Sequence, residues 1–241
     1  MRPSLIAYFP LADAVVPTHL LDVYADAGVD IVEFGWPARD PYLDGADVRA
    51  SMARAAEGDA RAAFIAARER LSTHCKGLKA LIMTYSEQGH PALRDPDFFR
   101  NVDSTLVVGP PESACRSALE TCARNAGAGV SAFLPLPLAS DDIAAATRAD
   151  CYAMVQAAAG VTGPRMSFDA GNKARVVELR AKGVTVPIVL GFGISSGAQA
   201  HDAIACGADG VVVGSAVLRA ALHGRGELEA LLRQLREGLD A

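Results

Sequence analysis

At 241 residues and 51% hydrophobic content the chain reads as one large domain spanning 1–241 rather than two small ones, a length at which α/β barrels are common. Its 23 basic and 28 acidic residues give a net charge of −5, which argues against a nucleic-acid surface but leaves room for a small anion, since a few backbone N–H groups suffice to hold a phosphate. No stretch nears the ~20 apolar residues of a membrane span, Met1-Arg2-Pro3 runs straight into a strand without a signal peptide, and Cys75, Cys115, Cys122, Cys151 and Cys206 lack metal or redox spacing, as expected for reduced thiols of a cytoplasmic protein.

Apolar runs and helical stretches then alternate along the chain. A first strand is expected over 4–9 and a helix over 16–27. A second strand over 31–34 leads to one long helix over 47–72, and a third over 78–83 to a helix over 95–101. Strands over 105–108 and 130–134 are followed by helices over 112–125 and 140–147. Strands over 151–155, 187–190 and 210–213 precede helices over 172–182 and 198–205 and one or two closing helices within 218–240. Each run suits a strand buried on both faces, and no hairpin signal separates one from the next. Eight strand–helix repeats in this length predict a closed parallel (β/α)8 TIM barrel.

The stretch that breaks the pattern is Glu33, a carboxylate inside the second apolar run. Burying an ionised carboxylate without a partner is costly, so Glu33 needs a partner or a task. Past the strand, the loop from Trp36 to Gly45 carries Arg39, Asp40 and a closing Asp44-Gly45. Two acids converging from a strand end and a loop suit general acid–base chemistry, although alone they also read as a solvated acid and an Asp-Gly turn. In a barrel the chemistry sits in loops after strand C-termini. After strand seven comes Gly191-Phe192-Gly193-Ile194-Ser195-Ser196-Gly197 and after strand eight Gly214-Ser215-Ala216, both opening helices. Small residues there let backbone N–H groups approach an anion, so the two loops predict a phosphate site. The glycine spacing is not the dinucleotide fingerprint. Trp36 either lines the site or covers the barrel rim, and Arg39 and Arg165 lie in candidate loops.

The segment Glu33-Phe34-Gly35-Trp36-Pro37-Ala38-Arg39-Asp40-Pro41-Tyr42-Leu43-Asp44-Gly45 resembles the E-L-G-x-P-x-S-D-P-x-x-D-G signature of the tryptophan synthase α subunit family. Gly160-Val161-Thr162-Gly163 resembles that family's loop after strand six, and Gly191 to Ser195 and Gly207 to Ala216 resemble its phosphate-binding end. The resemblance implies a lyase that cleaves indole-3-glycerol phosphate to indole and glyceraldehyde 3-phosphate by a retro-aldol reaction, without metal or organic cofactor. It implies Glu33 as the acid/base and Asp44 as acceptor of the indole N–H. Gly163, Gly193, Gly214 and Ser215 are then expected around the phosphate, with Phe192, Ile82 and Met154 around the indole, and a tryptophan synthase β subunit as a possible partner.

Departures from the family accompany the likeness. No helix precedes the first strand, and Val107-Val108-Gly109-Pro110-Pro111-Glu112 lacks the acidic residue common after strand four. The tyrosine expected in strand six falls at Met154, with Tyr152 close by. Ala157-Ala158-Ala159 replaces a polar pair, and Thr84-Tyr85-Ser86-Glu87 replaces Tyr-x-Asn-Pro. A stand-alone relative acting on a modified indole-glycerol phosphate, or a non-catalytic phosphate-binding regulatory subunit, are the competing expectations.

Overall fold

The computed structural model describes residues 2–87, 91–110, 113–158, 160 and 171–241. All eight apolar runs are strands: β1 (Ser4–Pro10), β2 (Ile31–Gly35), β3 (Lys79–Tyr85), β4 (Ser104–Val108), β5 (Gly129–Leu134), β6 (Ala153–Gln156), β7 (Ile188–Gly191) and β8 (Gly210–Val213). Each pairs in parallel with its neighbour in sequence, and β8 returns to β1 with Gly210 opposite Ser4, which closes the barrel. Side chains two residues apart share a face of a strand. The register sets Tyr8 beside Glu33 and Glu33 beside Leu81.

Among the described residues the helices are α1 (Leu21–Asp26), α2 (Ala46–Ala55), α3 (Ala60–His74), α4 (Pro96–Phe99), α5 (Ala114–Asn125), α6 (Ser140–Thr147), α7 (Asn172–Ala181), α8 (Gly197–Ala205), α9 (Ser215–His223) and α10 (Arg225–Asp240). Two expectations need correction. The single helix over 47–72 is two, because Asp59 caps α3 through its side chain and the Ala62 N–H at 2.9 Å. At the break Gly58 passes so close to Ala12 that a Cβ on it would lie 2.8 Å from the Ala12 Cβ. The helix over 16–27 starts instead as a 3₁₀ turn, Thr18–Leu20, and turns α-helical only at Leu21. No described helix is long and apolar enough to cross a membrane.

The barrel bottom is tied by a repeated device. Asp30, Asp103, Asp150 and Asp209 each accept a hydrogen bond from the backbone N–H of the preceding odd-numbered strand: Leu5 at 2.8 Å, Ala80 at 2.8 Å, Val130 at 3.0 Å and Ile188 at 2.7 Å. Each also pairs with an arginine: Arg236 at 3.2 Å, Arg68 at 3.2 Å, Arg124 at 3.0 Å, and Arg180. An acceptor here satisfies a strand-initiating donor that would otherwise be buried unpaired. Polar residues at this end serve stability, leaving the opposite rim for chemistry.

Candidate active site

Glu33 lies mid-strand in β2 and faces the barrel axis, 4% exposed. Asp44, 6% exposed, comes from the loop after β2 and turns back over the same space. That loop is held from α2: the Arg49 guanidinium donates to the Asp44 carbonyl at 2.7 Å, and the Asp44 N–H donates to the Pro41 carbonyl at 2.9 Å. Both acids line one pocket at the C-terminal end of the strands. Leu43, Met83, Leu106, Phe133, Met154 and Phe192 supply much of its apolar wall.

Each acid is served by a tyrosine. The Tyr152 hydroxyl donates to Glu33 Oε2 at 3.0 Å, and the Tyr85 hydroxyl donates to Asp44 Oδ2 at 2.7 Å. Ser131 also touches the Tyr152 phenol and shares a 3.0 Å hydroxyl contact with Ser104. Burial pushes the Glu33 pKa up to about 7; the Tyr152 hydrogen bond acts against that rise, and the Asp44 charge adds to it. Both phenols are held well above the ordinary tyrosine range, chiefly by burial and then by the carboxylate beside them, so they remain donors.

The far end of the pocket is lined by Gly193, Gly214 and Ser215. Two helices start there, with different consequences. The N-terminus of α8 is occupied by protein, since Ser196 caps it and the Ser195 N–H donates to Gln199 Oε1 at 2.8 Å. The N-terminus of α9 carries no side-chain cap, and its first turn opens on Gly214 and Ser215 with the helix dipole behind it. A Cβ built on Gly214 would come no nearer than 4.0 Å to the Tyr8 side chain, so its bareness leaves space on the pocket side. Between Gly191 and Gly193, Phe192 adopts a left-handed backbone (φ 70°), a strained choice for a non-glycine residue. That turn sets its ring 5.7 Å from Phe133.

The structure thus brings together Glu33, Asp44, Gly193, Gly214, Ser215, Phe192 and Met154. Gly163 and Arg165 lie outside the described residues. Ile82 does not join them: it is fully buried and absent from the lining, and Met83 takes the place on the wall. The reason is the two-residue period of a strand, which turns Ile82 toward the helices and Met83 and Tyr85 toward the axis. Trp36 is not in the lining either. It is buried edge-on against Phe98 at 5.6 Å and covers the rim. Arg39 is exposed. Sequence reasoning passed over Tyr8 and Tyr85 as site residues and placed the strand-six tyrosine at Met154, noting Tyr152 only as its neighbour. Strand parity was the available signal, because Tyr8 pairs with Glu33, and Tyr152 stands two residues before Met154.

Comparison with known proteins adds to this geometry. The profile of the family described as tryptophan synthase alpha chain matches residues 1–238. The tryptophan synthase alpha chain of Geobacter sulfurreducens is 32% identical over 253 residues, covering 99% of this chain and 94% of that protein. That of Mycobacterium tuberculosis is 34% identical over 251 residues, covering 99% and 89%. A solved chain of Mycobacterium tuberculosis tryptophan synthase, crystallised in space group F222, superposes with a TM-score of 0.81 at 28% identity, over 100% of this chain and 93% of that one.

Proposed function

The chain belongs to the tryptophan synthase alpha chain family, and on that premise we propose that it cleaves indole-3-glycerol phosphate to indole and glyceraldehyde 3-phosphate. The observation that carries the reading is the convergence of two tyrosine-held carboxyl groups on a pocket whose other end is an uncapped helix N-terminus.

The substrate's phosphate sits at Gly193, Gly214 and Ser215, and the indole lies between Phe192, Met154 and Met83. Glu33, with a pKa of about 7, reaches neutrality with both protonation states available. Its acid form delivers a proton to indole C3. The ring becomes an indoleninium whose N–H Asp44 accepts, and Tyr85 fixes the Asp44 carboxylate in place. The resulting Glu33 carboxylate then takes the proton of the hydroxyl on the carbon bonded to C3. That carbon becomes the aldehyde as the C3–C bond breaks, and the bonding electrons return through C2 to the ring nitrogen. One proton enters at C3 and one leaves the hydroxyl, so Glu33 is restored.

A β subunit is the proposed partner, docking on the rim formed by the loops after β2, β3 and β6. The cysteines are unbridged, which suits a reducing compartment such as the cytoplasm. Incubating the purified chain with indole-3-glycerol phosphate and following indole release tests the reading. Failure to release indole, alone or with a β subunit present, overturns it.

A further inference from the structure

Besides the two acids and Tyr85, the pocket holds a buried polar group that no described residue satisfies. Tyr8 is 2% exposed and lines the pocket, yet its hydroxyl has no hydrogen-bond partner. Tyr85 and Tyr152 each direct theirs to a carboxylate. A buried hydroxyl left unpaired costs free energy, and packing alone does not explain it, since phenylalanine would fill the same space. Burial, with the Asp44 and Glu33 charges nearby, holds the Tyr8 phenol well above its ordinary range, so it keeps its proton and stays a donor.

Neighbouring glycines fix where that donor stands. A Cβ on Gly35 would lie 2.3 Å from the Tyr8 Oη, so the tip of the phenol lies against the bare end of β2. A Cβ on Gly214 would lie 4.0 Å from the Tyr8 Cβ, so the stem of the side chain begins beside the anion end. The residue therefore spans the ground between the start of α9 and the strand that carries Glu33. A ligand with its phosphate at α9 and its ring at the two acids must run its connecting chain past this hydroxyl.

We propose that the Tyr8 hydroxyl donates a hydrogen bond to a hydroxyl of the substrate's glycerol segment, making Tyr8 a specificity-determining residue that separates polyol phosphates from alkyl phosphates of the same length. The proposal rests on reading the pocket as an indole-3-glycerol phosphate site. A plain alkyl linker would leave the donor unpaired once the ligand had shut out water, whereas a linker hydroxyl satisfies it.

The test compares wild type and Tyr8→Phe on two ligands: indole-3-glycerol phosphate, through kcat/KM, and indole-3-propyl phosphate, which keeps ring and phosphate but lacks both hydroxyls, through calorimetric Kd. For the variant, kcat/KM on the glycerol substrate falls about tenfold, equivalent to about 1.4 kcal/mol. The Kd for the propyl ligand stays within about twofold, because that ligand offers the phenol nothing to bond. The ligand-free variant melts at the same temperature as wild type or higher, since it has lost an unpaired buried group. Equal losses on both ligands, no loss on the glycerol substrate, or a lower melting temperature would each overturn the proposal. A wild-type chain that binds neither ligand overturns the functional reading itself, and this inference with it.

Discussion

At the scale of single residues, Glu33 pits function against stability. Its pKa of about 7 in the fold compares with 4.5 for an ordinary glutamate. Between those values the folded chain holds a proton that the unfolded chain has lost, so stability falls as pH rises through this window. Above it the deficit is complete, on the order of 3 kcal/mol. Glu33→Gln cannot ionise. It is expected to melt above wild type near pH 8 and close to it near pH 4.5, while indole release drops by ~10²–10⁴-fold. A variant that kept near-normal turnover would remove Glu33 from its proposed role. Tyr152 opposes the pKa rise by donating to the Glu33 carboxylate. In Tyr152→Phe the inflection of kcat/KM near neutrality should therefore move to higher pH, a shift that a purely packing role would not produce. Gly214 calls for a different measurement. Because a Cβ there meets no atom closer than 4.0 Å among the described residues beyond its chain neighbours, Gly214→Val should fold normally yet bind phosphorylated ligands at least tenfold more weakly, about 1.4 kcal/mol or more. Unchanged affinity by calorimetry would move the phosphate elsewhere.

At the scale of elements, strand parity and helix starts do the positioning. Parity sends Tyr8, Glu33, Met83, Tyr85 and Met154 to the pocket and Ile82 away from it. The contrast between a capped α8 and an uncapped α9 decides which helix can face an anion. The four aspartates at the barrel bottom have the opposite task, holding strand starts in register far from the pocket. Removing one leaves a buried donor without its acceptor. Asp103→Ala, which orphans the fully buried Ala80 N–H, should lower unfolding free energy by about 1–3 kcal/mol. Denaturant titration would check this, and kcat should stay within about twofold. A large kcat effect would contradict the separation of the stable face from the chemical one.

At the scale of the whole molecule, the question is what completes the pocket. The loop after β2 reaches the surface at Tyr42, whose ring stacks edge-on with Tyr85 at 5.1 Å, and Tyr85 in turn holds Asp44. A surface contact on this loop therefore has a short route to a proposed catalytic group. We propose that the departures in the loops after β3 and β6 weaken the coupling to a β subunit docked there, so that this chain organises its site largely by itself. We accordingly expect measurable turnover by this chain alone and less than about a tenfold rise on adding a β subunit from the same source, or under 1.4 kcal/mol of coupling. Steady-state kinetics with and without that subunit, together with sedimentation, decides it. A stable complex with strong activation would overturn the stand-alone expectation.

The sequence by itself determined the eight strands and their parallel closure, because continuous apolar runs without hairpin signals have few other ways to bury both faces. It also marked Glu33, since a carboxylate inside a buried run is conspicuous in one dimension, and the two glycine loops before helices, whereas Asp44 stood out only through the likeness of its loop to the family signature. Tertiary structure alone decided the rest. Tyr152 lies 119 residues from Glu33 and Tyr85 lies 41 from Asp44, separations at which only barrel register tells which side chains meet. The break between α2 and α3 turned on a one-residue cap and a close backbone approach, both subordinate in sequence to a strong helical pattern. The place of Ile82 turned on strand parity, where an error of one residue moves a side chain from the pocket to the opposite face.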